Sequence, residues 1–421
     1  MHDDFEVVKS FIRGNALKML KEGNGVFKHP FIDPGAGYEN NLWDWDSYWS
    51  ACALFGYCEY FKKYRDFDYQ HTKERVVCHA KGNILNFFDL QQKDGFIAMV
   101  TTADGLFSSL LKDEHAAGKK VNQHKPFLCK GVYNASVYSE DFFWFETEPL
   151  ARYLRFYEQN QYDEKSGLFF WRNDQMIGID NNPTVFGMPE DSVADIYLNC
   201  FLYTEFVAMA NICKARGEDD SQYLKKAERL KESIRRELYD RRDGLYYSAF
   251  IDVKTRKTEI FHHGVGAFWH SVPLKVRLWA CFLPVMCGIA DEAQAKTMIE
   301  RHYLDGNFCC DYGIRTLARD EKMYNTEKSS NPSNWLGAVW IIANYCTYRT
   351  LLAAGREDLA REMTEKTVAL LAKDIREHGA MSESYVPETG EPMMYGGFLN
   401  WDVLVINMIK DYEYGGSERI F

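Results

Sequence analysis

The chain has 421 residues, and its 61 Asp and Glu outnumber 50 Lys and Arg to give a net charge of −11 and a pI near 5.6. That balance repels a phosphate backbone and excludes nucleic acid as a natural partner. No membrane partner is expected either, since the longest candidate span, 278–290, is short and interrupted by Pro284.

Helical apolar spacing recurs along the chain, roughly over 5–22, 47–64, 74–91, 140–159, 190–214, 219–238, 273–284, 289–301, 335–354, 357–375 and 399–412. Strand-like alternation is sparse. End signals such as Gly244 and Gly355 separate neighbouring segments and suggest helical hairpins. About a dozen helices in sequential pairs predict an all-α toroid, with inner helices around a funnel and outer helices wrapping it. An α-solenoid is the competing architecture, but no internal repeat of fixed period supports it. No Pro-, Gly- and Ser-rich linker divides the chain, so residues 1–421 are expected to form one domain. The longest irregular stretch, 92–138, is expected to form a lid or rim, and its section GKKVNQHK to stay out of the core.

The start, MHDDFEVVKSF, shows no basic stretch followed by an apolar run and hence no secretory signal. Eleven cysteines lie scattered without Cys-x-x-Cys spacing, and Cys52, Cys58, Cys200 and Cys346 fall in apolar helical stretches. Buried thiols in a reducing, cytoplasmic setting are expected, with the vicinal Cys309 and Cys310 structural.

Five segments carry candidate chemistry. NLWDWDSYW sets Trp43, Trp45 and Trp49 beside Asp44 and Asp46 directly before a helix. Asp46 or Ser47 as a cap over packed indoles accounts for part of it. A sugar subsite accounts for more, since an indole face stacks on a pyranose while a carboxylate accepts two hydroxyl hydrogen bonds. GIDNNP places Asp180 in an irregular loop, where an Asx-turn is the plain alternative. YGIRTLA and NWLGAVW supply Arg315, Trp335 and Trp340, and Arg315 either forks onto a ligand or pairs with an internal acid. SESYVPETG places Glu383 just after a predicted helix in a loop, with Glu388 as its competitor in a surface turn. Glycoside hydrolysis needs a protonated carboxyl to protonate the leaving oxygen and a second carboxylate to activate water or attack carbon. Asp180 and Glu383 are the candidate pair. No phosphate loop, serine elbow or Cys/His arrangement is present, and adjacent His262 and His263 make a poor metal pair, so carboxylate chemistry without cofactor or metal is expected.

In this order the motifs resemble glycoside hydrolase family 63, more distantly the trehalases, and among short members the mannosylglycerate and glucosylglycerate hydrolases. LWDWDS, NQHKPF with Gln123, GIDNNP, YGIRTLA, NWLGAVW, SESYVPETG and FLNW with Trp401 follow the family order from about residue 38 to 405. The resemblance implies an (α/α)6 toroid in its minimal catalytic form and an inverting exo-acting α-glycosidase for a small α-glucoside or α-mannoside. Asp180 would be the general acid, held protonated, and Glu383 the ionised base, about 6.5–9.5 Å away to admit a water. Trp43, Trp45, Asp46, Gln123, Arg315, Trp335, Trp340 and Trp401 would contact the sugar. Leu336 and Ala338 depart from the family's Trp-Arg-Gly-Pro. An acidic aglycone such as glycerate would call on Lys119, Lys120, Lys125 or Arg315, and a neutral one would not. The competing functions are a sugar isomerase or epimerase using His262 or His263 as base, and a glycan-binding protein without catalysis.

Overall fold

The computed structural model describes residues 2–253, 269–327 and 333–415. Among them are thirteen α-helices: α1 (His2–Asn15), α2 (Asp44–Phe61), α3 (Tyr69–Phe88), α4 (Leu106–Ala116), α5 (Leu128–Ser139), α6 (Thr147–Asn160), α7 (Ile196–Arg216), α8 (Ser221–Glu237), α9 (Leu283–Met286), α10 (Glu292–Met298), α11 (Ile341–Ala353), α12 (Glu357–His378) and α13 (Val405–Tyr414). Helices α2, α5, α7, α9, α11 and α13 each pack on the next, and α13 returns to α2, which closes a six-membered ring. Outside it, α3 lies against α2 and α5, α6 and α8 against α7, and α12 and α1 against α11 and α13. Inner and outer helices alternate along the chain, so the fold is an (α/α)6 toroid.

Composition decides which layer a helix joins. Helices α2 and α7 are buried on nearly all sides and carry no continuous polar face, so only the inside of the ring suits them. In α8 the buried residues Tyr223, Ala227, Leu230 and Ile234 form one stripe at helical spacing, and the charged remainder faces water. Asp195 caps α7 by accepting from the Leu198 N–H at 3.2 Å. The described strands are two to five residues long and pair antiparallel as short ribbons between helices.

The stretch 92–138 corrects the sequence reading. It contains α4 and all but the last residue of α5, which is one of the six ring helices. The α5 sequence LCKGVYNASVYS has no obvious apolar stripe because close packing selects small residues: a Cβ on Gly131 would sit 3.4 Å from Ile84. Its cap is also remote. The two carboxylate oxygens of Glu205, on α7, accept from the Cys129 and Lys130 N–H groups at 2.8 Å each. GKKVNQHK is likewise half buried. Asn122, Gln123, His124 and Lys125 are enclosed, and each has at least one side-chain atom on a backbone partner, as where Asn122 Oδ1 accepts from the Arg172 N–H at 2.8 Å.

A cavity of about 270 Å³ opens at one end of the ring. Its lining comes from the segments that lead into α2, α5, α7, α11 and α13. Helix N-termini carry partial positive charge, so this end of the toroid favours carboxylates.

Candidate active site

Asp180 and Glu383 both line this cavity, together with Trp43, Trp45, Asp46, Trp335, Trp340 and Trp401. Eight of the ten residues singled out in the sequence therefore meet in one place.

The Asp180 loop is pinned on both sides. Asn181 Oδ1 accepts from the Trp335 N–H at 2.8 Å, and Asn182 donates to Asp195 Oδ2 at 3.1 Å while its own Oδ1 closes an Asx-turn with Thr184. The Asx-turn that Asp180 itself was a candidate for belongs to Asn182. Gly178 holds φ +93° and lies against Trp45 and Lys125, where a Cβ would have 3.4 Å to each. Ser333 Oγ donates to Asp180 Oδ2 at 2.6 Å. Burial raises the Asp180 pKa above the ordinary carboxylate range, while Ser333 and Lys125 pull it down.

Glu383 sits on the strand Ser382–Tyr385, paired with Pro392–Gly396. A β-hairpin stands where the sequence suggested a loop, and Gly390, at φ +70°, shapes its turn. Reciprocal bonds of 2.9 Å between Val339 and Tyr385 fasten this strand to the segment entering α11. The Tyr38 hydroxyl donates to both Glu383 oxygens, at 3.1 and 2.9 Å. Burial is the largest influence on Glu383 and lifts its pKa well above the usual range; Tyr38 opposes the rise, and Asp46 and Asp180 add to it. The direction runs against the expectation that Glu383 is ionised, because burial disfavours the charged form and two acids stand nearby.

Asp46 is raised as well, to about 8, by burial and by Asp44, with Lys125 opposing. It accepts from Asn400 Nδ2. Asp44, beneath it, is fully buried and ion-paired with Lys125 Nζ at 2.8 Å, while Lys125 also donates to the Met176 carbonyl at 3.0 Å. Asp402, next to Trp401, is wholly buried, and neither of its oxygens has a hydrogen-bond partner among the described residues. Its pKa is pushed up by burial and by Asp374 and Glu383. The cavity is thus ringed by carboxyls that compete for protons.

The indoles form a continuous wall. Trp335 stacks on Trp340 with centroids 4.0 Å apart, and Trp45 contacts Trp335 at 5.8 Å and Trp401 at 5.2 Å. Trp335 is itself stacked between Trp340 and Trp279, so the wall is rigid, and the half-buried Trp43 is the most accessible indole beside the carboxyls.

Two candidates fall elsewhere. Gln123 is fully buried and donates to the Tyr153 carbonyl at 3.4 Å, so it supports the core rather than the cavity. Arg315 pairs with Glu388 at 3.4 Å and also donates to Tyr324 and to the Cys309 carbonyl, which is the internal-acid alternative. The same contacts hold Glu388 in its turn, outside the cavity lining. Leu336 and Ala338 do not line the cavity; the Ala338 carbonyl accepts from Thr316 Oγ1 at 2.9 Å in the core. His262 and His263 lie outside the described residues. Tyr38, Ser333, Met176 and Gly178 line the site without having been foreseen. For Tyr38 a signal existed in Gly35 and Gly37, at φ +100° and +85°, which let the chain fold against 397–399.

Residues 87–401 match the mannosylglycerate hydrolase MGH1-like glycoside hydrolase domain. The chain belongs to that family, within glycoside hydrolase family 63. It is similar to the mannosylglycerate hydrolase of Thermus thermophilus solved with Tris and D-glycerate, at 17% identity and a TM-score of 0.67, covering 94% of this chain and 99% of that one. The same enzyme in complex with glucose gives 17% and 0.64 over 93% and 98%. The neutral trehalase of Saccharomyces cerevisiae gives 13% and 0.57 over 91% of this chain and 73% of that one. A probable mannosyl-oligosaccharide glucosidase of Schizosaccharomyces pombe is 24% identical over 145 residues, 32% of this chain and only 18% of that relative's length. The protein is a glycoside hydrolase.

Proposed function

We propose that the protein is an inverting, exo-acting α-glycosidase for a small α-glucoside or α-mannoside, with Asp180 as general acid and Glu383 as general base. The observation that carries this reading is the meeting of these two buried carboxyls, from the middle and the far end of the chain, in one indole-walled cavity. Asp180 donates its proton to the departing glycosidic oxygen. Glu383 takes a proton from a water whose oxygen attacks the anomeric carbon from the opposite face. Asp46 accepts sugar hydroxyls, and Trp43 and Trp45 offer indole faces to the ring, with Trp335, Trp340 and Trp401 packed against one another beside Trp45. A chamber of about 270 Å³ suits a terminal sugar unit better than the interior of a polymer.

The cluster of raised acids supplies the protonation state this needs. One proton shared among Asp46, Asp180 and Glu383 resides on Asp180 in the productive form, and substrate hydroxyls bound to the other two favour their ionised forms. The test is hydrolysis of a panel of mannosylglycerate, glucosylglycerate, kojibiose, nigerose and trehalose, with the product anomer read by NMR. Asp180→Asn and Glu383→Gln are each expected to lower kcat by about 10³-fold or more, with thermal stability unchanged or raised. A glycosyl fluoride, whose leaving group needs no proton, should restore turnover in D180N alone. Near-normal hydrolysis by both variants would reject the assignment, and a retained anomer would reject inversion.

A further inference from the structure

All eleven cysteines are free thiols, and most are buried. Two of them meet between neighbouring helices of the ring. Cys200, on α7, is fully enclosed, while Cys287, the residue that ends α9, is half-buried and followed by an exposed Gly288. Helices α7 and α9 pack on each other, and the two thiols act on one another as hydrogen-bond partners. Met286 and Gly288, on either side of Cys287, line an open groove of about 690 Å³, so small solutes reach this end of α9. The surroundings of Cys287 favour a thiolate. Cys200 donates to its sulfur, and the charges of Lys130 on α5 and Arg349 on α11 act in the same sense, so its pKa lies below the ordinary thiol value in spite of burial. Burial first, and then Cys287 itself, push the Cys200 thiol well up. One sulfur of the pair is therefore the nucleophile and the other keeps its proton. Cys309, also half-buried, is different: its thiol donates to the Tyr303 carbonyl at 3.3 Å, and burial raises it.

We propose that Cys287 is a modification site for hydroperoxides, with Cys200 as the neighbouring thiol that resolves the product to a disulfide. The Cys287 thiolate attacks one peroxide oxygen: an S–O bond forms, the O–O bond breaks and hydroxide leaves. The Cys200 sulfur then attacks the sulfur of the sulfenic acid. An S–S bond forms, the S–O bond breaks, and the departing hydroxide takes the Cys200 proton as water. Two thiols lose two electrons, and hydrogen peroxide is reduced to two waters. The bond fastens the second turn of α7 to the end of α9. It lies just beyond Asp195, whose carboxylate holds Asn182 beside the Asp180 loop.

The experiment treats the full, reduced chain with an equimolar amount of hydrogen peroxide, alkylates the remaining thiols with iodoacetamide in denaturant and maps the peptides by mass spectrometry. The expected result is a Cys200–Cys287 cross-link that dithiothreitol reverses, with the other cysteines alkylated. Cys200→Ser is expected to stop at a sulfenic acid on Cys287 that dimedone traps. Cys287→Ser is expected to slow peroxide consumption at least about tenfold. Recovery of Cys200 and Cys287 as alkylated thiols, with oxidation falling first on the exposed Cys78, overturns the proposal. A cross-link from Cys287 to its other neighbour, Cys346, overturns it as well.

Discussion

Asp46→Asn is expected to stabilise the protein, and to do so in proportion to pH. Asp46 is buried to 7% exposure beside Asp44 and near Asp180, and its pKa is pushed from the usual 3.8 to about 8. A group whose folded pKa is raised contributes fully to stability below its unfolded pKa, and that contribution is lost as pH climbs toward the folded value. The window is therefore about pH 4 to 8. At pH 7 roughly three decades of proton affinity separate the folded and unfolded carboxyl, each worth about 1.4 kcal/mol, so the wild type forfeits on the order of 4 kcal/mol there. Asn keeps the shape and still accepts from Asn400 Nδ2, whose own oxygen is held by Ser50 Oγ at 2.6 Å. The substitution removes the cost without opening a cavity.

For a chain of 421 residues, an unfolding entropy near 2.1 cal/mol/K per residue converts 4 kcal/mol into a rise in Tm of about 4–5 °C. The assay is thermal unfolding of wild type and D46N at half-unit steps from pH 4 to 8.5. The two curves should coincide near pH 4, separate steadily, and run parallel above pH 8. Hydrolysis should fall in the same variant, because the residue that costs stability is the one proposed to accept the sugar hydroxyls. A Tm difference that is flat across this range, or a D46N protein less stable than wild type at pH 7.5, would refute the reasoning.

Much of this was legible in the sequence because the site residues come bundled with their own local signals. Trp45 and Asp46 stand in a single run at the start of α2, and FLNW leads directly into α13. Most predicted helical segments correspond to a helix of similar extent; at 273–284 and 399–412 a 3₁₀ turn comes first and the α-helix follows it. What stayed hidden depends on partners distant in sequence. Helix α5 is capped by Glu205 of α7, not by a neighbour, and its small residues answer to α3 across the interface. The burial of Asn122 and Lys125 follows from backbone groups at 172–176 and from Asp44, which no local pattern announces. Tyr38 reaches Glu383 only because the start of the chain closes over 397–399. Residue type suggested Arg315 as a ligand contact, whereas charge compensation by Glu388 decided its place.

Two further outcomes follow from the same electrostatics. Lys125→Met breaks an ion pair in which both partners are enclosed, and is expected to cost about 3–5 kcal/mol in urea unfolding; adding Asp44→Asn to it should recover much of that loss, since the uncompensated charge is the main cost. Tyr38→Phe and Ser333→Ala then test which carboxyl is acid and which is base. Each hydroxyl hydrogen bond favours the ionised form of its carboxyl, so its removal raises that carboxyl's pKa. A hydrogen bond to a charged group is worth about 1.5–3 kcal/mol, or roughly one to two pH units. With Glu383 as base, Y38F moves the acidic limb of the kcat/KM profile upward and narrows the bell. With Asp180 as acid, S333A moves the basic limb upward and widens it. If the roles were exchanged the two variants would exchange limbs, so a Y38F profile displaced only on its alkaline side would overturn the assignment while leaving the site in place.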